Sequence, residues 1–237
     1  MARQNKQEAP SFARYRGGLY ELASAVFSDA PSAGELEQLV DAAHETAGAP
    51  CARASERALL DGLASYADAD FERVRVRVAS EYAELFVGPR PPLAPYYESV
   101  YLGYPSRLFT EQTEQVREFY ARHGFAIEGG RKVPEDSLYF ELSFMKELCA
   151  READAVARGD SESAQGCLAT QRRFLVEHVG AWSGLFAQRV EKAAVSGFYQ
   201  LWAGFVHAFV REDIEFLSEL LKTERLSDQG DLHTVRE

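Results

Sequence analysis

Apolar residues recur along most of this chain at the spacing of an α-helix. Tyr15, Leu19, Leu22, Ala23, Val26 and Phe27 fall three and four apart, which places their side chains on one helical face. The pattern predicts a helix from Ser11, closed by Pro31, behind a polar and frayed first ten residues. Leu36, Leu39, Val40 and Ala43 predict a second helix, ahead of Gly48-Ala49-Pro50. Leu59, Leu60, Leu63 and Tyr66 predict a third, and Phe71, Val74, Val78, Tyr82, Leu85 and Phe86 a fourth that ends at Gly88-Pro89. The run VRVRV from Val74 to Val78 alternates like a strand. It lies inside a longer 3.6-residue pattern, so it is read as helix.

After an interruption the helical pattern resumes. Thr110 to His123 reads as a short helix with a capping box formed by Thr110 and the Thr113-Glu114 pair. Gly124 to Val133 reads as a loop containing Gly129-Gly130, and Pro134 as the opening residue of a long helix to about Arg158. Three more helices are expected at 162–179, 181–210 (interrupted near Ser196-Gly197) and 212–222. The fold class is therefore all-α, a helical bundle of about ten helices. One domain over 1–237 is expected, with an N-terminal half at about 11–87, a hinge at 88–109 and a C-terminal half at about 110–222.

The interruption is GPRPPLAPYYESVYLG, Gly88 to Gly103. Five of the nine prolines lie between Pro89 and Pro105. Proline fixes φ and has no backbone donor, so Pro89, Pro91, Pro92 and Pro95 impose an extended path that must be ordered by side-chain packing. Tyr96, Tyr97, Tyr101 and Tyr104 supply apolar bodies with polar ends. The stretch is either a linker or a stiff aromatic groove for an extended peptide. A second segment, KVPEDSLYFELSFMKEL from Lys132 to Leu148, places Glu141 in the same arc as Leu138, Leu142, Met145 and Cys149. A carboxylate there needs a partner. Glu135 and Asp136 are placed in the first helical turn, either as partners of the helix dipole or as an acidic patch beside a loop.

Composition narrows the reading. The 237 residues carry 26 Lys and Arg against 37 Asp and Glu, for a formal charge of −11. Such a surface repels nucleic-acid backbones and anionic lipid and favours encounter with basic partners. Cys51, Cys149 and Cys167 are widely spaced, which predicts reduced thiols. No stretch nears the roughly 18 apolar residues of a membrane span, and the opening MARQNKQEAPSFARY has no apolar core for a secretory signal. The five histidines are scattered, with no H-E-x-x-H, so no metal is expected. Phosphate-loop, dinucleotide and nucleophile-elbow motifs are absent. No cofactor and no catalytic residue are assigned.

Together, EYAELFVGP, PYYESVYL and PEDSLYFELSFM make the chain resemble the TorD/DmsD/NarJ family of redox-enzyme maturation chaperones. The family pattern is Y-x-x-L-F-x-G-P, then P-Y-x-S-x-Y, then E-P-x-D-H with a following E-L. Pro134 and Asp136 match the third motif, Glu141 and Leu142 match the E-L, and Val133 and Ser137 replace the glutamate and the titratable histidine. The resemblance implies a cytoplasmic chaperone, not an enzyme. It implies a partner that is the precursor of a molybdopterin-containing oxidoreductase catalytic subunit, or its twin-arginine signal peptide, held until cofactor insertion is complete. It implies no nucleic acid and no stable membrane insertion, and either a monomer or a helix-swapped homodimer. On this reading Asp136, with Glu135 beside it, binds a leader arginine and Ser137 adds a hydrogen bond. Tyr96, Tyr97 and Tyr101 line the groove, and Glu98 and Ser99 are contacts or caps. Gly88 and Pro89 end a helix, Pro134 opens one, and Glu141 ties the core. The alternative is a helical small-ligand-binding protein or an enzyme without a recognisable motif.

Overall fold

The computed structural model describes residues 2–46, 53–103, 110–127 and 133–233, with side chains placed from 12 to 223 within those ranges. The described residues are helical, with one isolated antiparallel bridge between Tyr97 and Ser137. The helices are α1 (Ala2–Ser28), α2 (Ala33–Glu45), α3 (Ala54–Ala64), α4 (Phe71–Tyr82), α5 (Glu98–Leu102), α6 (Glu111–Arg122), α7 (Leu138–Arg158), α8 (Ser161–Glu177), α9 (Val179–Ala193) and α10 (Phe198–His233). A π-helical turn, Ala83–Val87, extends α4. The run Val74 to Val78 is helical, as its surroundings require.

Several boundaries differ from the sequence reading, each for a local reason. α1 begins at Ala2 rather than Ser11. α7 begins at Leu138, because Pro134 opens a turn in which its carbonyl accepts from Ser137 N–H at 3.2 Å. Glu135 and Asp136 thus precede the helix instead of filling its first turn. The hinge is not wholly extended, since the proline-free stretch after Pro95 closes the short helix α5. Thr110 forms no capping box; its hydroxyl donates to Gln112 Oε1. No break occurs at Glu212, because Asp213 and its neighbours continue α10. The break near Ser196-Gly197 is present, with Gly197 at φ +80°. Glu81 holds it there, its carboxylate accepting from the N–H groups of Val195 and Ser196 and from the Ser196 hydroxyl.

Packing crosses the expected division of the chain. α1 lies along α7, α3 packs on α10, and α10 also covers α8 and α9. The halves on either side of 88–109 interlock. One aromatic cluster joins Phe27, Phe86, Phe186 and Tyr199, with the Phe86 and Tyr199 centroids 5.1 Å apart. A second joins Phe119, Tyr120, Phe144 and Phe174. Each such side chain contributes about 1.5–3 kcal/mol by leaving water. Trp182 and Trp202 are fully buried.

α1 also delivers a charge to the interior. Arg16 lies on the same face as the buried Ala13 and Tyr20. It donates to both oxygens of Asp213, to Glu152 at 3.1 Å and to Gln171. Arg53 is a second donor to Asp213, at 2.6 Å, and the Tyr20 hydroxyl a third. Burial opposes charge on Asp213, yet the two arginines hold its carboxyl below the usual range. This network bolts α1 to α7, α8 and α10.

Candidate functional site

The two segments singled out in the sequence meet in the middle of the molecule. α4 ends through its π-turn at Gly88, whose φ of +99° only glycine adopts without strain. A Cβ there would meet Arg90 O at 2.5 Å. The proline stretch then folds back, with Leu93 N–H donating to Glu84 O and Ala94 N–H to Leu85 O. Next it crosses the entry to α7. Leu138 N–H donates to Tyr96 O at 2.9 Å and Glu98 N–H to Asp136 O at 3.0 Å. The hinge is thereby hydrogen-bonded to the residues before α7.

Asp136 is the centre of this junction and is fully buried. Its Oδ2 accepts from Ser99 N–H at 2.8 Å and its Oδ1 from Thr113 Oγ1 at 2.9 Å. Tyr97, at the N-cap position of α5, makes no side-chain cap. Asp136 supplies that cap from another segment and also holds the first turn of α6. Both oxygens of Asp136, the residue expected to bind a leader arginine, face the interior and accept hydrogen bonds from within the chain. Ser137 is buried as well, at the N-cap position of α7, with no side-chain cap. Ser99 and Glu98 are buried too. Glu98 bonds His178 Nδ1 at 3.0 Å, which makes it an internal tie rather than a surface contact. Glu135 faces Arg117 in a bidentate pair, at 2.8 and 3.0 Å, so its charge is matched within the chain.

The tyrosines also turn inward. Tyr96 is buried against Phe86, Tyr97 and Tyr139. Tyr97 and Tyr101 are half-buried, and Tyr101 stacks on Trp182 at 5.3 Å. Burial pushes the hydroxyls of Tyr96, Tyr97 and Tyr101 far above the usual phenol range. Tyr104, named with them in the sequence, lies outside the described residues, as do Cys51 and Gly129-Gly130.

Glu141 is fully buried and accepts from Trp182 Nε1 at 3.0 Å. Burial, with Glu98 and Asp136 nearby, pushes its carboxyl well above the usual glutamate range. A neutral carboxyl is the favoured form in such surroundings. The junction thus holds three buried carboxyl groups from three segments. Asp136 ties the hinge to α6, Glu98 ties it to His178 at the start of α9, and Glu141 ties α7 to α9.

Among the described residues no group of three or more His, Cys, Asp or Glu is placed to hold a metal ion. No described helix is long and apolar enough to cross a membrane. Cys149 is a buried free thiol and Cys167 a half-buried one.

The profile of a family described as the nitrate reductase delta subunit matches residues 49–188, well over half of the chain. This span contains every element of the junction. A chaperone protein TorD of Vibrio cholerae is 30% identical over 156 residues, covering 65% of this chain and 68% of that protein. This chain belongs to the TorD-like family of redox-enzyme maturation chaperones. Other TorD chaperones match it along nearly their whole length. That of Vibrio parahaemolyticus is 25% identical over 89% of this chain and 98% of its own, and that of Shewanella pealeana 25% over 87% and 91%. The TorD-like family is one of chaperones, not of enzymes. In this TorD-like chain most of the motif residues, among them Leu85, Phe86, Tyr96, Ser99, Asp136, Glu141 and Leu142, are buried.

The sequence reading missed Arg16, Asp213 and Gln171. A signal was present, since Arg16 interrupts the apolar arc of α1, and a cation on such an arc requires buried anions. Nothing in the sequence named those anions, which come from helices more than a hundred residues away.

Proposed function

We propose that this chain binds the apoprotein of a molybdopterin-containing oxidoreductase catalytic subunit in the cytoplasm. Through the twin-arginine leader or the adjoining mature region, it holds that precursor until its cofactor is inserted. The observation that carries this reading is the family match over residues 49–188. It takes in both the Pro/Tyr segment and the PEDS turn, the sequence features most specific to such chaperones.

The physical features agree with a protein-binding task. The net charge of −11 attracts a basic leader and speeds encounter. Exposed large apolar side chains, among them Leu22, Val76, Leu93 and Val195, give contact area for an unfolded or apolar segment. The junction fixes the proline stretch that carries Leu93 and the start of α7, the helix on which α1 and its Leu22 pack. Asp136, Ser137, Glu98 and Ser99 therefore serve client binding indirectly, as positioning residues. Tyr97 and Tyr101, half-buried, form the part of the junction closest to a contact role.

Affinity capture of the tagged chain from its native cells, followed by mass spectrometry, tests the proposal. A co-purifying molybdopterin oxidoreductase precursor is the expected result. If cells that express such an enzyme yield no precursor, the reading fails.

A further inference from the structure

Asp136 and Glu135 are engaged inside the protein, whereas Asp29 and Glu35 stand exposed beside an apolar groove. α1 and α2 diverge after the turn at Asp29–Ser32 and leave a groove of about 420 Å³ between them. Leu22, Ala25 and Val26 form one wall, and Leu39 and Ala42 the other. Leu22, Ala25 and Val26 on α1, and Leu39 and Ala42 on α2, are spaced three or four apart, so an apolar strip of each helix looks into one channel, with Gln38 beside it on α2. Leu22 remains 45% exposed, and Ala25 and Ala42 are exposed as well. An apolar face on consecutive helices is normally closed by their mutual packing. Here it is left uncovered for about two helical turns, or roughly 10 Å.

The charges around this groove are of one sign. Asp29 and Glu35 line it, and no lysine or arginine does. α2 as a whole carries Glu35, Glu37, Asp41 and Glu45 without a lysine or arginine. Glu35 is held as a carboxylate by its capping box with Ser32, whose hydroxyl and N–H both donate to it. The larger groove, between α4 and the α9–α10 break, is lined by Arg73 and Arg77 as well as by Glu72, Glu81 and Glu84, so charges of both signs face it.

We infer that the α1–α2 groove is the docking surface for a short peptide segment that joins arginine or lysine to an apolar run. Its apolar residues would enter between Leu22, Ala25, Leu39 and Ala42, and its cations would meet Asp29 and Glu35 at the rim. This assignment rests on the client-binding reading above and gives it a location distinct from the family's sequence motifs.

The test uses a fluorescein-labelled synthetic peptide with two arginines ahead of a leucine/alanine run, and a control with glutamates for the arginines. The wild-type chain is expected to bind the arginine peptide and not the control. Ala25→Trp and Ala42→Trp, each filling the groove from an exposed position on a different wall, should weaken binding about tenfold. Asp29→Asn combined with Glu35→Gln should weaken it several-fold and reduce its salt dependence. Hydrogen exchange with bound peptide should slow in 22–29 and 35–42. Melting temperatures of the tryptophan variants check that they fold. If the peptide binds but both tryptophan variants bind it equally, the groove assignment is overturned and the client reading stands. If a captured precursor binds while the arginine peptide does not, the basic-apolar chemistry assigned to the groove is wrong. If neither peptide nor precursor binds, both proposals fall.

Discussion

Replacing Asp136 with alanine should destabilise the protein well before it tells anything about client binding. The carboxylate accepts from Ser99 N–H at 2.8 Å and from Thr113 Oγ1 at 2.9 Å, and it is fully buried. Alanine leaves both donors in the interior with no acceptor. An orphaned buried donor costs about 1–3 kcal/mol, so the loss is roughly 2–6 kcal/mol. That is a large part of a typical stability of about 5–15 kcal/mol. For a chain of this length it corresponds to a fall in Tm of about 5–20 °C. Asp136→Asn keeps one acceptor and should lose about half as much. Thr113→Val removes a donor without opening a cavity, so it should couple to Asp136→Asn in a double-mutant cycle. Differential scanning fluorimetry and urea titration measure the wild type, the three single variants and the double variant. If Asp136→Ala melts within about 2 °C of wild type while client affinity collapses, the buried-tie argument is refuted and Asp136 contacts the client.

Other outcomes follow from the same contacts. Gly88→Ala should cost about 1–3 kcal/mol, because φ is +99° and the new Cβ meets Arg90 O. Gly166→Ala, in open space within α8, should instead gain about 0.5–1 kcal/mol in urea unfolding. Arg16→Met leaves Asp213 and Glu152 buried without their shared cation and should cost about 3–5 kcal/mol, read as a lower urea midpoint. Glu141 gives a pH test. Its folded pKa is raised, so above the unfolded value of about 4.3 the unfolded state releases a proton that the folded state keeps, and stability falls as pH rises. Glu141→Gln mimics the neutral carboxyl, so its Tm relative to wild type should climb from pH 5 upward; a constant difference would show that Glu141 is ionised in the fold. Asp213 has the opposite sign: its folded pKa is depressed, so its contribution holds above about pH 4 and is lost as acid protonates it.

Helical content was legible in the sequence because amphipathic periodicity is a local property. Each helix must present one apolar face, and the 3.6-residue pattern at Tyr15 to Phe27 or Phe71 to Phe86 records it. The break near Gly197 and the turn at Gly88 were legible for a related reason, since only glycine tolerates those backbone angles. The family motifs were legible as strings of residues. Their physical task was not. Asp136 reads as a free carboxylate in a polar turn until the hinge lies across it and Thr113 arrives from α6. Glu135 reads as open until Arg117 closes on it from the preceding helix. The start of α7 slipped by four residues because a proline fits both a first helical position and the turn before one.

What the chain determines by itself, then, is where helices form, where they must stop, and that its surface is acidic. The tertiary structure decided which charges are spent inside and which remain for a partner. Burial and pairing depend on residues more than a hundred positions apart, as with Arg16 and Asp213. A local pattern carries no record of such distances, because the free energy of a charge is set by the atoms that surround it in space.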